Sequence, residues 1–168
     1  MKRLIIPVCV CAASAMFLLT PLQAQEIKFG QGDKYSDIIR NDHKQIDQLL
    51  NKLNQSQDPK EMEDALNQLK DGLAKHMEAE EKYLYPELEK NTDTRSMASK
   101  VRDEHSAVKA QLNNIDPKAD RETYLGRLQV LSELIKSHVS FEEDQLLPKA
   151  EKSVDEMSVT EKFKTVYQ

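Results

Sequence analysis

A repeat at an offset of 62 residues constrains this 168-residue chain more than any single motif in it. Residues 66–90, LNQLKDGLAKHMEAEEKYLYPELEK, align with residues 128–152, LQVLSELIKSHVSFEEDQLLPKAEK. Leu66 pairs with Leu128, Leu69 with Leu131 and Leu73 with Ile135; His76 then pairs with His138, Glu80 with Glu142, Glu81 with Glu143, Leu84 with Leu146 and Pro86 with Pro148. Upstream, His43 pairs with His105, Ile46 with Val108, Leu50 with Leu112 and Leu53 with Ile115. Two copies are too few for a solenoid and describe a duplicated helical hairpin.

The period within each copy is helical. Four stripes advance in steps of three and four: Ile39, His43, Ile46, Leu50, Leu53; Met62, Leu66, Leu69, Leu73, His76, Glu80, Tyr83; Val101, His105, Val108, Leu112, Ile115; and Tyr124, Leu128, Leu131, Ile135, His138, Glu142, Gln145. Such steps put each set on one helix face, the seam that a bundle buries. Asp58-Pro59-Lys60 and Asp116-Pro117-Lys118 each place a capping carboxylate before a proline that a first turn tolerates, and Glu61 gives Asp58 a capping-box spacing. Pro86 and Pro148 are expected to kink or end the second and fourth helices. The expected helices are 34–55, 59–88, 93–115 and 118–150, joined by connections short enough to make neighbours antiparallel. The fold class is therefore all-α, an up-down-up-down four-helix bundle, with a weakly patterned short fifth helix in the tail from Ser153 to Gln168.

The bundle does not use the first residues. Lys2 and Arg3 precede the apolar run Leu4–Leu19, and Ala24 precedes Gln25, the pattern of a secretory signal peptide over residues 1–24 cut near Ala24. The competing reading is an uncleaved N-terminal membrane anchor. The domain is expected over 25–168, with its core at 35–152, in an exported protein that is periplasmic or secreted. Both cysteines, Cys9 and Cys11, lie in the leader, so disulfides, thiolate zinc and iron–sulfur clusters are excluded from what remains. Loss of Lys2 and Arg3 takes the formal charge from −5 to −7. An acidic chain lacks the cation excess that a general nucleic-acid binder needs, so no nucleic acid is expected as a partner and a membrane only through the leader.

The seams carry polar residues where a core belongs. His43, His76, His105 and His138, every histidine in the chain, stand one per helix, and the two hairpins share a 33-residue histidine separation. A lone seam histidine is usually a hydrogen-bonded core residue, but four at matched levels are poorly explained that way. Glu80 and Glu142 share the stripes with no Lys or Arg to compensate them, and uncompensated burial of a carboxylate costs several kcal/mol. His and Glu at i and i+4 project from one face, so both can reach one dinuclear centre. Four imidazoles and two carboxylates suit iron or manganese better than calcium or magnesium, and zinc prefers fewer ligands. If the glutamates bridge and an oxide or hydroxide lies between the metals, each metal keeps one open position. Ferritin-like sites use Glu-x-x-His, whereas this chain has His-x-x-x-Glu twice.

Asp42-His43, His76-x-x-x-Glu80-Glu81 with Pro86, Glu104-His105, and His138-x-x-x-Glu142-Glu143 with Pro148 resemble the hemerythrin-like HHE cation-binding domain over about residues 35–152. The resemblance implies a non-haem di-iron site, two Fe ions with an oxo or hydroxo bridge, preferred over Mn or Zn. His43, His76, His105 and His138 would be terminal ligands, and Glu80 and Glu142 bridging ones. The oxygen carriers of the family have a further histidine one turn away on the third helix; here Val101 and Lys109 occupy those places. The carriers' Asp five residues after the last His corresponds to Glu143, but Glu142 matches Glu80 by repeat and seam. The four-His, two-Glu set is nearer to family members that repair iron–sulfur clusters or handle nitric oxide.

For Asp42, Glu104, Glu81 and Glu143 two readings stay open: acceptors for imidazole N–H groups, or solvated helix faces. Tyr83 and Tyr85 are expected as core packing, with a hydrogen bond to a metal-bound ligand as the rival role. The expected function is binding of O2, NO or peroxide for sensing, storage or detoxification. The alternatives are a di-iron redox enzyme that reduces NO or peroxide or serves iron-centre repair, iron storage or delivery, and a metal-free helical module.

Overall fold

The computed structural model describes residues 26–168; the expected leader, with its two cysteines, lies outside the described residues. Four rods run 35–55, 59–88, 92–113 and 121–153, and a fifth helix closes the chain. By segment they are α1 (Tyr35–Gln55), α2 (Pro59–Ala79), a π turn (Glu80–Leu84), α3 (Tyr85–Leu88), α4 (Thr92–Asn113), α5 (Arg121–Phe141), a second π turn (Glu142–Leu146), α6 (Leu147–Ser153) and α7 (Glu156–Tyr167). No strand occurs among the described residues, and none of their helices is long and apolar enough to cross a membrane. The all-helical bundle expected from the stripes is the fold.

Caps explain where the rods begin. Asp58 accepts from the backbone N–H groups of Lys60 at 2.8 Å and Glu61 at 3.3 Å, with Pro59 in the first turn. The expected start at Asp116-Pro117-Lys118 is corrected. Asp116 caps only a turn, accepting from Lys118 N–H, and α5 begins at Arg121 because Asp120 takes the Thr123 N–H at 3.0 Å. A carboxylate three residues before a free N–H satisfies a donor that a helix start otherwise leaves bare.

The prolines act differently from expectation. Neither Pro86 nor Pro148 ends its rod; each sits in the first turn of α3 or α6, directly after a π turn. Tyr85 N–H bonds the Glu80 carbonyl and Leu147 N–H bonds that of Glu142, both five residues back. Proline has no N–H for the carbonyl four residues earlier and crowds it, and a widened turn accommodates the ring. The extra residue shifts the seam. Tyr83 and Gln145, expected inward, are half-buried and exposed, while Leu84, Tyr85, Leu146 and Leu147 are buried.

Two apolar clusters fill the bundle. One gathers Ile46, Leu50, Leu69, Leu73, Val108, Leu128 and Ile135, the other Ile39, Leu84, Leu88, Val101, Leu146 and Leu147. Helix α7, the weakly patterned tail, belongs to the second cluster through Val159 and Phe163 and packs on α1, α2 and the first π turn. Between the clusters lies the polar layer.

Candidate metal centre

His43 from α1, His76 from α2, His105 from α4 and His138 from α5 meet Glu80 and Glu142 in that layer, and none of the six is more than 5% exposed. Glu80 Oε2 lies 3.5 Å from His76 Nε2 and 3.2 Å from His105 Nε2. Glu142 Oε2 lies 3.4 Å from His138 Nε2 and 3.3 Å from His43 Nε2. Each carboxylate therefore stands between the imidazole of its own rod and that of another, the two halves related by the repeat. Two overlapping quartets, His43–His76–His138–Glu142 and His76–Glu80–His105–His138, each bring one donor atom per residue within 4.8 Å of one another. The structure brings together all six residues picked from the seam.

Each imidazole has its second nitrogen on a further carboxylate. His43 Nδ1 is 2.7 Å from Glu143, His105 Nδ1 2.9 Å from Glu81, His138 Nδ1 3.2 Å from Glu104, and His76 Nδ1 3.6 Å from Asp42. The four contacts form a ring. Asp42 reaches from α1 to α2, Glu81 from the first π turn to α4, Glu104 from α4 to α5, and Glu143 from the second π turn to α1. For Glu81, Glu104 and Glu143 the geometry takes the acceptor reading; Asp42 is buried rather than solvated, but at 3.6 Å it faces His76 Nδ1 beyond hydrogen-bond reach. The π turns contribute directly, since they turn Glu80 and Glu81, and likewise Glu142 and Glu143, toward two different neighbours. A carboxylate on Nδ1 fixes which ring nitrogen keeps its lone pair for the centre and raises its basicity.

The protein's own groups do not satisfy this layer. His43 Nε2, both ring nitrogens of His76, Glu80 Oε1 and Glu142 Oε2 are buried without a hydrogen-bond partner. Buried polar atoms are rarely left so, and five in one place are what a bound cation could satisfy. Burial, and then the charge of Glu142, push the Glu80 carboxyl up to about 7. Burial also opposes ionisation of Glu142, but the His138 and His43 charges outweigh it and hold Glu142 well below the usual carboxylate range. Burial disfavours the charged forms of His43 and His138, yet the adjoining carboxylates raise them to about 9 and about 10. Burial, with the His138 charge second, lowers His105 to about 4. A mixed donor set of nitrogen and carboxylate oxygen with uncompensated lone pairs fits transition-metal cations.

Two further groups reach the centre. The Tyr85 hydroxyl is 2.9 Å from Glu80 Oε2, 3.2 Å from His105 Nε2 and 3.4 Å from Glu142 Oε1. Of the two roles left open for Tyr85, core packing and a hydrogen bond to a candidate ligand, these contacts fit the second. Asp42, fully buried, accepts from Gly30 N–H at 2.8 Å and Tyr167 O–H at 2.5 Å, so it fastens both ends of the described chain beside His76. Access to the layer is narrow. A void of about 10 Å³ touches all four histidines, and a surface cavity of about 430 Å³ between α1 and α5 is lined by His43, Leu50, Ile135, Val139 and Glu143.

A helical bundle with a ring of inward histidines and glutamates able to hold metal is what a hemerythrin-like cation-binding protein is built from. The family model for the hemerythrin HHE cation binding domain matches residues 35–150, and the chain belongs to that family. A DNA nickase of Nostoc sp. is 33% identical over 116 residues, 66% of this chain and 31% of that protein. An uncharacterized hemerythrin-like protein of Schizosaccharomyces pombe is 30% identical over 126 residues, 73% of this chain and 62% of that one. The chain thus spans under a third of the first relative and under two thirds of the second. No solved structure matches it.

Proposed function

We propose that the chain is an exported di-iron protein that binds a small ligand, O2, NO or peroxide, for sensing, storage or detoxification. The observation that carries this is the set of five unpartnered donor atoms within the six-residue layer. His43, His76, His105 and His138 would be the terminal ligands and Glu80 and Glu142 the bridging ones, with iron preferred over manganese or zinc. Bound there, iron would supply reversible redox chemistry and open positions for a small ligand. The polypeptide does the rest: four carboxylates hold the imidazoles, and apolar side chains keep water out.

Export rests on the charged start, apolar run and Ala24 of the leader, with N-terminal anchoring as the rival. The name of the Nostoc relative suggests nucleic acid, but the match covers 31% of that protein, and an acidic surface disfavours a polyanion. A redox enzyme or an iron store would use the same donors and stands as the alternative.

Protein purified from its native compartment is expected to contain two irons per chain and, when reduced, to form a reversible NO or O2 adduct visible in its optical spectrum. Two irons without any adduct would overturn the gas-binding reading. Iron that a weak chelator strips at once would favour storage or delivery.

A further inference from the structure

The repeat governs the whole centre except at one place. His43 matches His105, His76 matches His138, Glu80 matches Glu142, Asp42 matches Glu104 and Glu81 matches Glu143, all at the same offset. Tyr85 and Leu147 break the match. Both side chains are fully buried after equivalent π turns, so one half of the layer meets a phenol at the position where the repeat gives the other half a leucine.

The Tyr85 oxygen lies within 3.4 Å of three acceptors, Glu80 Oε2, His105 Nε2 and Glu142 Oε1. Since Glu81 sits on His105 Nδ1, the proton of that imidazole belongs on Nδ1 and the Nε2 atom presents a lone pair. One O–H proton can serve only one of three lone pairs. Four donor atoms, the Tyr85 oxygen, Glu80 Oε2, His105 Nε2 and Glu142 Oε1, thus converge on one buried spot, an arrangement that a cation would satisfy. The ring is held in place independently: it lies against His105 with centroids 5.5 Å apart, and the Arg102 guanidinium covers it at 5.3 Å.

We propose that Tyr85 supplies a seventh donor, a phenol oxygen, to the metal position shared with His105, and thereby makes the two metal positions inequivalent. This rests on the di-iron reading above. As the cation enters, the Tyr85 O–H bond is exchanged for an oxygen–metal bond and one proton is released. A hard anionic oxygen favours the ferric state, so the Tyr85 half holds the higher oxidation state more firmly. The half beside Leu147 keeps only its share of the six repeat-related donors, and its His43 borders the α1–α5 cavity. The Leu147 half is thus the one left for an external ligand.

The test is the visible spectrum of the iron-loaded full chain in its ferric state, read with its iron content. A tyrosinate-to-iron charge-transfer band, with resonance Raman ring modes that move on ring deuteration of tyrosine, is expected. Tyr85→Phe should lose the band completely with two irons retained, while Tyr83→Phe keeps it. Two irons with no such band, or a band that survives Tyr85→Phe, would overturn the assignment and leave the di-iron reading intact. A chain that takes up no iron overturns both. Should the Phe variant fail to fold, the deuteration shift in the native chain decides, because Tyr85 is the tyrosine whose oxygen touches the ligand layer among the described residues. A shift upholds the proposal and its absence refutes it.

Discussion

Oε1 of Glu143 stands 2.7 Å from Nδ1 of His43, 100 residues earlier in the chain. The contact joins the second π turn to α1, and its repeat mate joins Glu81 to His105 at 2.9 Å. Both acids are about a third exposed; against the opposing effect of burial, Lys109 and then His105 lower the affinity of Glu81 for protons, and His43 lowers that of Glu143. Removing them should leave the bundle folded while freeing two rings to turn. Glu81→Ala and Glu143→Ala are each expected to weaken metal binding about 10- to 100-fold. Chelator competition checks the affinity, and the unfolding temperature of the stripped protein should change little.

Glu80 and Glu142 carry a sharper expectation. Each lies between imidazoles of two rods, so together they tie all four histidines into one centre. The double variant Glu80→Ala with Glu142→Ala should lose dinuclear loading, and elemental analysis should find at most one metal per chain. In the native chain, a metal at roughly a thousand times its dissociation constant adds about 4 kcal/mol, or about 10 °C in melting temperature. The double variant should show no such rise. Two metals per chain in it would contradict the assignment of these ligands.

The six donors were legible because burial of a charged group leaves a trace in one dimension: a carboxylate on an apolar stripe with no cation beside it. The stripes failed after Glu80 and Glu142 because a π turn adds a residue without any local marker except the proline that follows. Tyr83 and Gln145 were placed inward on a period of 3.6 that the backbone abandons there, and Tyr85 entered the layer instead. The roles of Asp42, Glu81, Glu104 and Glu143 depend on which neighbouring helix each side chain faces, and that is a property of packing. Helix α7 was announced only by a weak pattern, yet Phe163 and Val159 are at most 1% exposed.

Asp42 is the anchor through which the chain ends act on the centre. Gly30 has φ +75°, and a Cβ there would lie 2.3 Å from the Tyr167 ring. Gly30→Ala is therefore expected to cost about 1–2 kcal/mol from the backbone alone, and more as the Tyr167 ring is displaced. Phe163→Ala, which empties the second apolar cluster beneath α7, should cost about 3–5 kcal/mol. Tyr167→Phe removes only the hydroxyl donated to Asp42. It should cost about 0.5–1.5 kcal/mol, measurable in urea, and should weaken metal binding through the loosened Asp42–His76 contact.

The pH response of the stripped protein follows from the raised imidazoles. His43 and His138 hold their protons to about 9 and about 10 in the folded chain, against about 6.5 for an unfolded imidazole. Between those values the folded state binds more protons than the unfolded one, so stability falls as pH rises. Their contribution is complete below about pH 6.5 and is lost on passing through 9 to 10. Glu80, raised to about 7, acts in the same direction at lower pH: its contribution is complete below the ordinary carboxylate range and fades as pH rises through 7. His105, lowered to about 4, opposes them only on the acid side, where its stabilisation disappears as pH falls from about 6.5 through 4. Metal reverses the alkaline trend, since binding requires neutral imidazoles and ionised carboxylates and so strengthens as protons leave. Thermal unfolding from pH 6.5 to 10 should show the stripped protein melting progressively lower while the loaded protein holds or gains, the gap between them widening. Parallel curves would mean that the metal is not held by these histidines.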